Sequence, residues 1–522
     1  MPATKLKKKT KAGTKTKKVA AKKASKKSAK KAGSNGVLAA GVKVLIVNII
    51  PRQMSFETNN DSEPNLDVSP TNPLHMAASA FTPDPAGGPN APIFISRDGG
   101  KTWTINSIVP GGNNNTGTGD ITLRFSRTTD KLYAAILRGD VPQGTLRMNI
   151  LRTDDFASPA TMTVLGSRDH MDQPYVQTMT TSTGTAKDIV FIGDNDFNDR
   201  DTNNGRTATL DFSNNAATGN GSFSSLRIDP RSDAPGVNAP SIRAAIHSDG
   251  TVYGAFMHFL SASGPNFSLI RRDIVVVRDD NFGVGPNPFT ALKDPDNNLA
   301  GRIVAPNRLV PFINNFFMGQ ERIGSSLSIA VDPRPSQSST VYLAWADRVG
   351  QNDYTLHVRR STNRGVTWSS SDLLTITNAT NPALAINSDG RIGFLYQQYT
   401  GPFTPFQVSA ANHWETHLRR STDGISWDDL ILCRTPANVP SANGGLPYLG
   451  DYLHLLTVGK DFFGIFSANN TPDQANFPAA KPPNGQLIYQ RNCDFDTHKL
   501  FDVNGTTRID PSIDPFFFKV TE

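Results

Sequence analysis

The chain has 522 residues, enough for a large core, and its 42 Gly and 36 Pro with few long apolar helical runs exclude a mainly helical protein. Its formal charge of +7 is concentrated at one end: 14 lysines lie between Lys5 and Lys31, and without them 39 basic residues face 46 acidic ones. Two cysteines, Cys433 and Cys493, exclude a disulfide framework; whether they pair stays open, and no Cys/His spacing suggests zinc.

Residues 1–36 are Lys, Ala, Ser and Thr with almost nothing to bury, so the ordering entropy has no offset and a disordered arm is expected. Lysines along a flexible arm neutralise polyanions without sequence readout, so nucleic acid or an anionic surface is a candidate partner, beside the alternative of a solubilising or export-related tail. No run of 18 apolar residues is present, so no transmembrane segment is expected. The apolar stretch from Val37, "VLAAGVKVLIVNII", contains Lys43 and lacks a convincing cleavage site. Val42 to Ile50 is therefore predicted to be a β-strand rather than part of a signal peptide, which leaves a cytoplasmic protein or one exported by a non-classical route.

From Ser62 onward an apolar alternating strand, a Gly/Asp/Asn turn and a second apolar strand recur. The copies begin at Ser62, Gly119, Asp172, Ala239, Gly324, Asn381 and Gly450. A second string, "SRDGGKTW" from Ser96, returns as "STNRGVTW" from Ser361 and "STDGISW" from Ser421, each after a further alternating strand. Each unit thus reads as a four-stranded antiparallel sheet with this turn between its third and fourth strands. Such sheets bury both faces by radial packing, which predicts an all-β, single β-propeller of seven four-stranded blades, six being the alternative. The expected divisions are a disordered arm over 1–36, the propeller over 37–505 and a C-terminal strand or packed tail over 506–522. The turn residues Ser96, Asp98, Gly100, Trp103, Ser361, Asn363, Gly365, Trp368, Ser421, Asp423 and Trp427 have local structural reasons. Asp or Asn accepts backbone N–H groups, Gly admits positive φ and Trp covers the hairpin.

These strings resemble the Asp-box, or BNR, repeats of sialidases and related glycoside hydrolases, and the strand openings "SEPNLDV", "DQPYV" and "LGDYLHL" resemble those of bacterial BNR-repeat proteins named as glycosyl hydrolases by similarity. The resemblance implies a propeller and activity on, or binding of, a glycan or glycoconjugate. The sialidase pattern also asks for an R-I-P motif where this chain has Glu63-Pro64, and for a Glu after Tyr396 where it has Gln397. Asp84 falls roughly where the family's acid/base loop would lie, and Arg243 and Arg322 are candidate cationic contacts for substrate.

In a propeller the innermost strands begin at the mouth of a central channel, where the repeats bring Glu63, Asp120, Asp172 and Asp451, with Tyr175 and Tyr452 beside them as substrate contacts. Clustered carboxyls raise a pKa, bind a cation or pair with Arg. Asp172 with Asp451 is the first choice for an acid/base pair; the structural alternative is hydrogen bonding to backbone at the strand starts. The run "GDNDFNDRDTNNG" places Asp194, Asp196, Asp199 and Asp201 close together. Calcium is the one cofactor this suggests, against a merely solvated acidic loop. The two functions in view are a sialidase-like glycoside hydrolase and a non-catalytic propeller that binds glycan or protein, anchored to a polyanion by its arm.

Overall fold

The computed structural model describes residues 42–81, 93–110, 118–138, 146–181, 187–197, 207–219, 221–231, 240–264, 269–311, 326–349, 354–402, 408–440 and 449–522. Among them are six four-stranded sheets, one five-stranded sheet and a small three-stranded one, with only short 3-10 turns as helix. Each large sheet begins with one of the expected hairpins. The innermost strands are, in chain order, Ser62–Val68, Thr118–Phe125, Met171–Thr180, Arg243–Ile246, Leu327–Val331, Ala379–Ile386 and His454–Val458.

Each innermost strand touches the next, and the last touches the first. The apolar core is divided accordingly into seven clusters, each between two neighbouring sheets. One joins Ala344, Leu356 and Ile376 of the fifth sheet to Leu384, Phe394 and Trp414 of the sixth. Another joins Phe463, Ile465 and Phe517 of the last sheet to Leu66, Val68 and Trp103 of the first. Second strands are covered on both faces, so "VYLAWA" in Val341–Arg348 is apolar without alternation, whereas a fourth strand such as Leu374–Thr377 alternates. The architecture is all-β and propeller-like.

The last sheet runs in the order His454–Val458, Asp461–Asn469, Ile513–Thr521, Lys43–Asn48, Gly485–Tyr489. Lys43–Asn48, the strand expected within Val42 to Ile50, is not the edge: it pairs antiparallel with Ile513–Thr521 and parallel with Gly485–Tyr489, which covers its other side. The segment expected to be a terminal strand or tail supplies the middle strand of this sheet. Asn48 and Asn470 donate to Asp514 at 2.7 and 2.8 Å, and Arg491, wholly buried, pairs with Asp514 at 2.8 Å while donating to the Ser55 and Glu57 carbonyls.

The recurring turn lies between third and fourth strands at all three places. In the first, Ser96 Oγ donates to Asp98 and accepts from the Gly100 N–H. Asp98 accepts the Lys101 and Thr102 N–H groups, and Trp103 Nε1 donates to the Gly100 carbonyl. The turns at Ser361 and Ser421 repeat this pattern, with Asn363 and Asp423 as acceptors and Trp368 and Trp427 bonded to Gly365 and Gly424. Gly100, at φ +86°, faces the Phe517 ring of the last sheet, and an added Cβ would come within 2.2 Å of it. Gly365 likewise faces Leu292 of the fourth sheet's connection. The turn is thus a tenon that seats one sheet on its predecessor.

Candidate functional site

The site is built at the start of the innermost strands. Four of them carry an extra residue against their partner, between Ser62 and Asn65, Thr118 and Ile121, Asp172 and Tyr175, and Thr380 and Ala383. A bulge of this kind re-aims side chains. In three of the four the bulged residue precedes a proline and has left-handed backbone: Glu63 at φ +53°, Gln173 at +52° and Asn381 at +55°. Both the hand and the following proline oppose that conformation, at about 1–3 kcal/mol per residue. Gly450 lies just ahead of the last of the seven innermost strands; a Cβ there would lie 2.4 Å from the Glu63 backbone nitrogen, so glycine lets the last sheet close on the first.

The bulges bring Glu63, Asp120, Asp172 and Asp451 together. Burial, then the charges of Glu63 and Asp172, push the Asp120 carboxyl well above the ordinary carboxylate range, and Glu63 hydrogen-bonds it. The pair therefore holds a proton. Glu63 and Asp451 are each 2% exposed and Asp120 8%, whereas Asp172 is half-buried. Gln173 ties two of the acids: its Nε2 donates to Asp451 and its backbone N–H to Asp172, both at 3.0 Å. Asn381 donates to the Gly450 carbonyl at 2.9 Å and to Gln397, which in turn donates to the Ser467 carbonyl.

Behind the acids lies a cationic and aromatic layer. The Arg243 guanidinium stacks over Tyr175 at 4.3 Å and lies 5.7 Å from the Tyr452 ring, and Nη1 donates to Ser241. Arg124 lies over the other side of this group, 5.5 Å from the Tyr175 ring, and donates to Asn65 and to His454 Nε2. Burial, then Arg124, hold His454 well below the usual histidine range, so it is a neutral acceptor. Burial, then Asp120 and Glu63, push the Tyr452 hydroxyl far up. A cavity of about 60 Å³ lies among these residues, lined by Arg243, Tyr452, Tyr175, Gln177, Ser328 and His454 together with apolar neighbours.

Of the residues expected at the site, Glu63, Asp120, Asp172, Asp451, Arg243, Tyr175 and Tyr452 converge, while Asp84, Arg322, Asp199 and Asp201 lie outside the described residues. Asp194 and Asp196 are buried in Asp188–Asp196, the strand paired with Met171–Thr180, beside Asp211. The guanidinium of Arg168 sits among the three: it contacts Asp196 closely, Asp211 at 2.6 Å and Asp194 at 3.9 Å. A side-chain cation thus already faces these carboxylates. Gln173, Asn381 and Arg124 were not foreseen. The dipeptides Gln173-Pro174 and Asn381-Pro382, at the place of Glu63-Pro64, are the signal that would have found the first two.

Glu57, Asp61 and Asp514 form the one group among the described residues whose carboxyl oxygens lie within 4.8 Å of one another in a metal-like cluster. Both oxygens of Asp514 already accept from Arg491, with Asn48 on one and Asn470 and Ser512 on the other, which leaves no lone pair for an ion. Burial, then Asp61 and Asp514, push the Glu57 carboxyl up to about 10. This cluster is a protonated carboxyl beside an ion pair.

No known family model matches the chain, and no curated protein is significantly similar to it. Among solved structures, the chain is similar to a GH93 α-L-arabinofuranosidase of Fusarium graminearum, with 11% identity, covering 68% of this chain and 92% of that one at a TM-score of 0.42. It is also similar to a PL25 ulvan lyase, with 10% identity over 80% and 93% of the two chains at 0.35. A GH43 β-1,3-galactosidase aligns with 9% identity over 73% and 96% at 0.32. No helix among the described residues is long and apolar enough to cross a membrane.

Proposed function

We propose that the chain is a seven-bladed propeller that acts on a glycan as a glycoside hydrolase, with the channel-mouth carboxyls as its acid and base. The observation that carries this reading is the convergence of Glu63, Asp120, Asp172 and Asp451 at one end of the innermost strands, where burial and neighbouring charge raise the Asp120 carboxyl and Asp172 is the half-buried acid that receives a backbone N–H. Glycoside hydrolysis needs one carboxyl that donates a proton to the leaving oxygen and a second, ionised one that acts on the other face of the sugar. Glu63 and Asp120 are in hydrogen-bond contact. That is too near for the two to flank a glycosidic bond, since acid/base pairs stand about 5 Å or more apart. They act as one proton-holding unit, and the second carboxylate is Asp172, with Asp451 fixed by Gln173. Tyr175, the partly exposed ring of this layer, is the one placed to contact a sugar, with Arg243 and Tyr452 buried behind it.

The near-complete burial of Glu63 and Asp451 favours a second reading, in which the acids knot the innermost strands together and the ring face only binds glycan or protein. The Lys-rich arm, residues 1–36, is kept as the polyanion-binding element of either reading.

Mass spectrometry of products from a panel of neutral, sialylated and uronate-containing glycans separates the two. We expect release by the wild type and a loss of at least about 100-fold in Asp120→Asn and Asp172→Asn variants with unchanged circular dichroism. Retention of the same glycans without release would establish the binding reading and end the hydrolytic one.

A further inference from the structure

We propose that the cavity behind the carboxyl layer is a binding site for a small monovalent inorganic anion of halide size. The inference goes beyond the glycan reading and does not depend on it.

The argument starts from two buried donors. Arg243 is 3% exposed, and its Nη2 has no hydrogen-bond partner; Tyr452 is 5% exposed, and its hydroxyl has none either. Both line the cavity. A buried guanidinium remains charged, and an unmatched donor on it is costly, so something that accepts hydrogen bonds is needed there.

The rest of the polar wall shows what kind of acceptor fits. Ser328 Oγ already accepts the Leu384 N–H, Gln177 Oε1 accepts from Arg124, and His454 Nε2 accepts from Arg124. The Tyr175 hydroxyl is hydrogen-bonded by Arg124 as well. Each of these acceptors already takes a hydrogen bond, whereas Arg243 Nη2 and the Tyr452 O–H make none, so the wall is richer in free donors than in free acceptors. A water molecule needs acceptors for its own two hydrogens, whereas an anion needs donors alone. At about 60 Å³ the cavity has room for a halide or a few waters and none for a sugar ring. Arg243 supplies the charge, and the carboxyls of Asp120 and Asp451 act on the same guanidinium. An anion here would be sensed at the carboxyl layer through that guanidinium.

The test uses the full chain and bromide as the probe. The unfolding midpoint is measured against sodium bromide and, at equal ionic strength, against sodium gluconate, whose anion is too large to enter. We expect a rise that saturates in bromide and is absent in gluconate, lost in Arg243→Gln. In Tyr452→Phe, which keeps the charge and removes one donor, the half-saturating bromide concentration should increase roughly tenfold. Bromine anomalous scattering from soaked crystals should place one peak between Arg243 and Tyr452. Midpoints that ignore the identity of the anion, or ordered water at that position without an anomalous peak, would overturn the proposal. If Arg243→Gln does not fold, the Tyr452→Phe titration and the anomalous map decide.

Discussion

Gly100 carries a large structural load for a residue with no side chain. Its backbone is left-handed, and the place a Cβ would take is filled by Phe517, a residue 417 positions further along the chain. Gly100→Ala should destabilise by about 2–4 kcal/mol, combining the strain of positive φ with overpacking. Gly219, also left-handed at φ +57° but with nothing within 4 Å, gives the backbone term alone and should lose about 1 kcal/mol as alanine. Equal losses in urea denaturation of the two variants would show that the Phe517 contact contributes nothing. The local chemistry of this turn was legible in the sequence, because Ser, Asp and Trp act within eight residues of one another. Its role in joining sheets was not, since Phe517 is distant in sequence. The same limit applied at the site. Glu63, Asp120, Asp172 and Asp451 were found because each opens a repeat, whereas Arg124, deep in its strand, carries no mark that separates it from a solvated arginine.

At the scale of single elements, neighbouring sheets repeat a buried histidine between two acids. In the fifth sheet His357 bonds Asp347 and Asp372 and stacks on Trp345 at 5.0 Å; in the sixth His417 bonds Glu415 and Asp429 and stacks on Tyr396 at 4.9 Å. The strings "HVRRS" and "HLRRS" show the repetition, but Asp347 and Asp429 come from adjacent strands and could be assigned only by register, while Asp372 lies in the connection that follows and Glu415 stands two residues before His417 on the same strand. Arg359 and Arg419, the arginines of those strings, pair with Asp372 and Asp429. Burial alone would lower both imidazoles, but the hydrogen bonds to the acids outweigh it and the net displacement is upward. Burial alone would raise Glu415, yet His417 and Arg434 bring it down to about 2.

The pH dependence follows from these directions. A histidine raised on folding contributes fully below its unfolded value of about 6.5 and loses that contribution as pH rises through its folded value. A lowered carboxyl contributes above its unfolded value of about 4 and loses this as pH falls toward the folded one. The contribution of these triads should therefore be greatest between about pH 4.5 and 6.5 and decline through neutrality. A double His357→Gln, His417→Gln variant should lose about 3 kcal/mol near pH 6 and show a flatter midpoint between pH 6 and 8.5. An unchanged slope in the variant would assign the alkaline decline to other groups.

For the whole molecule, the ring is held at the sheet that combines the two ends of the described residues. The knot of Arg491, Asp514, Asn48 and Asn470 lies there, with the raised carboxyl of Glu57 beside it. Removing the buried cation leaves Asp514 unpaired, so Arg491→Leu should lose about 3–5 kcal/mol. Glu57 has the opposite sign. An acid raised from 4.5 to about 10 costs stability increasingly as pH rises above its unfolded value. Glu57→Gln, which mimics the protonated form, should match the wild type at pH 4.5 and exceed it by about 1–3 kcal/mol at pH 8. Destabilisation at both pH values would mean that the Glu57 carboxylate has a favourable partner, such as a metal ion.

The repeat pattern made the succession of sheets readable from the sequence, and Val42 to Ile50 was readable as a strand. The order of the last sheet was hidden, because Ile513–Thr521 and Gly485–Tyr489 have no counterparts in the other repeats. That order also sets a timetable for the nascent chain. Asn48 meets Asp514 across 466 positions of sequence. At about 5–20 residues per second, a ribosome needs on the order of 25–90 seconds to supply the partner. Throughout that interval the strand Lys43–Asn48 is an apolar ribbon with both edges unsatisfied, while earlier sheets can already be assembling beside it. The last seam is therefore the one most exposed to mispairing between neighbouring copies on a polysome, and a holdase that shields "KVLIVN" would act until its partner strand is made.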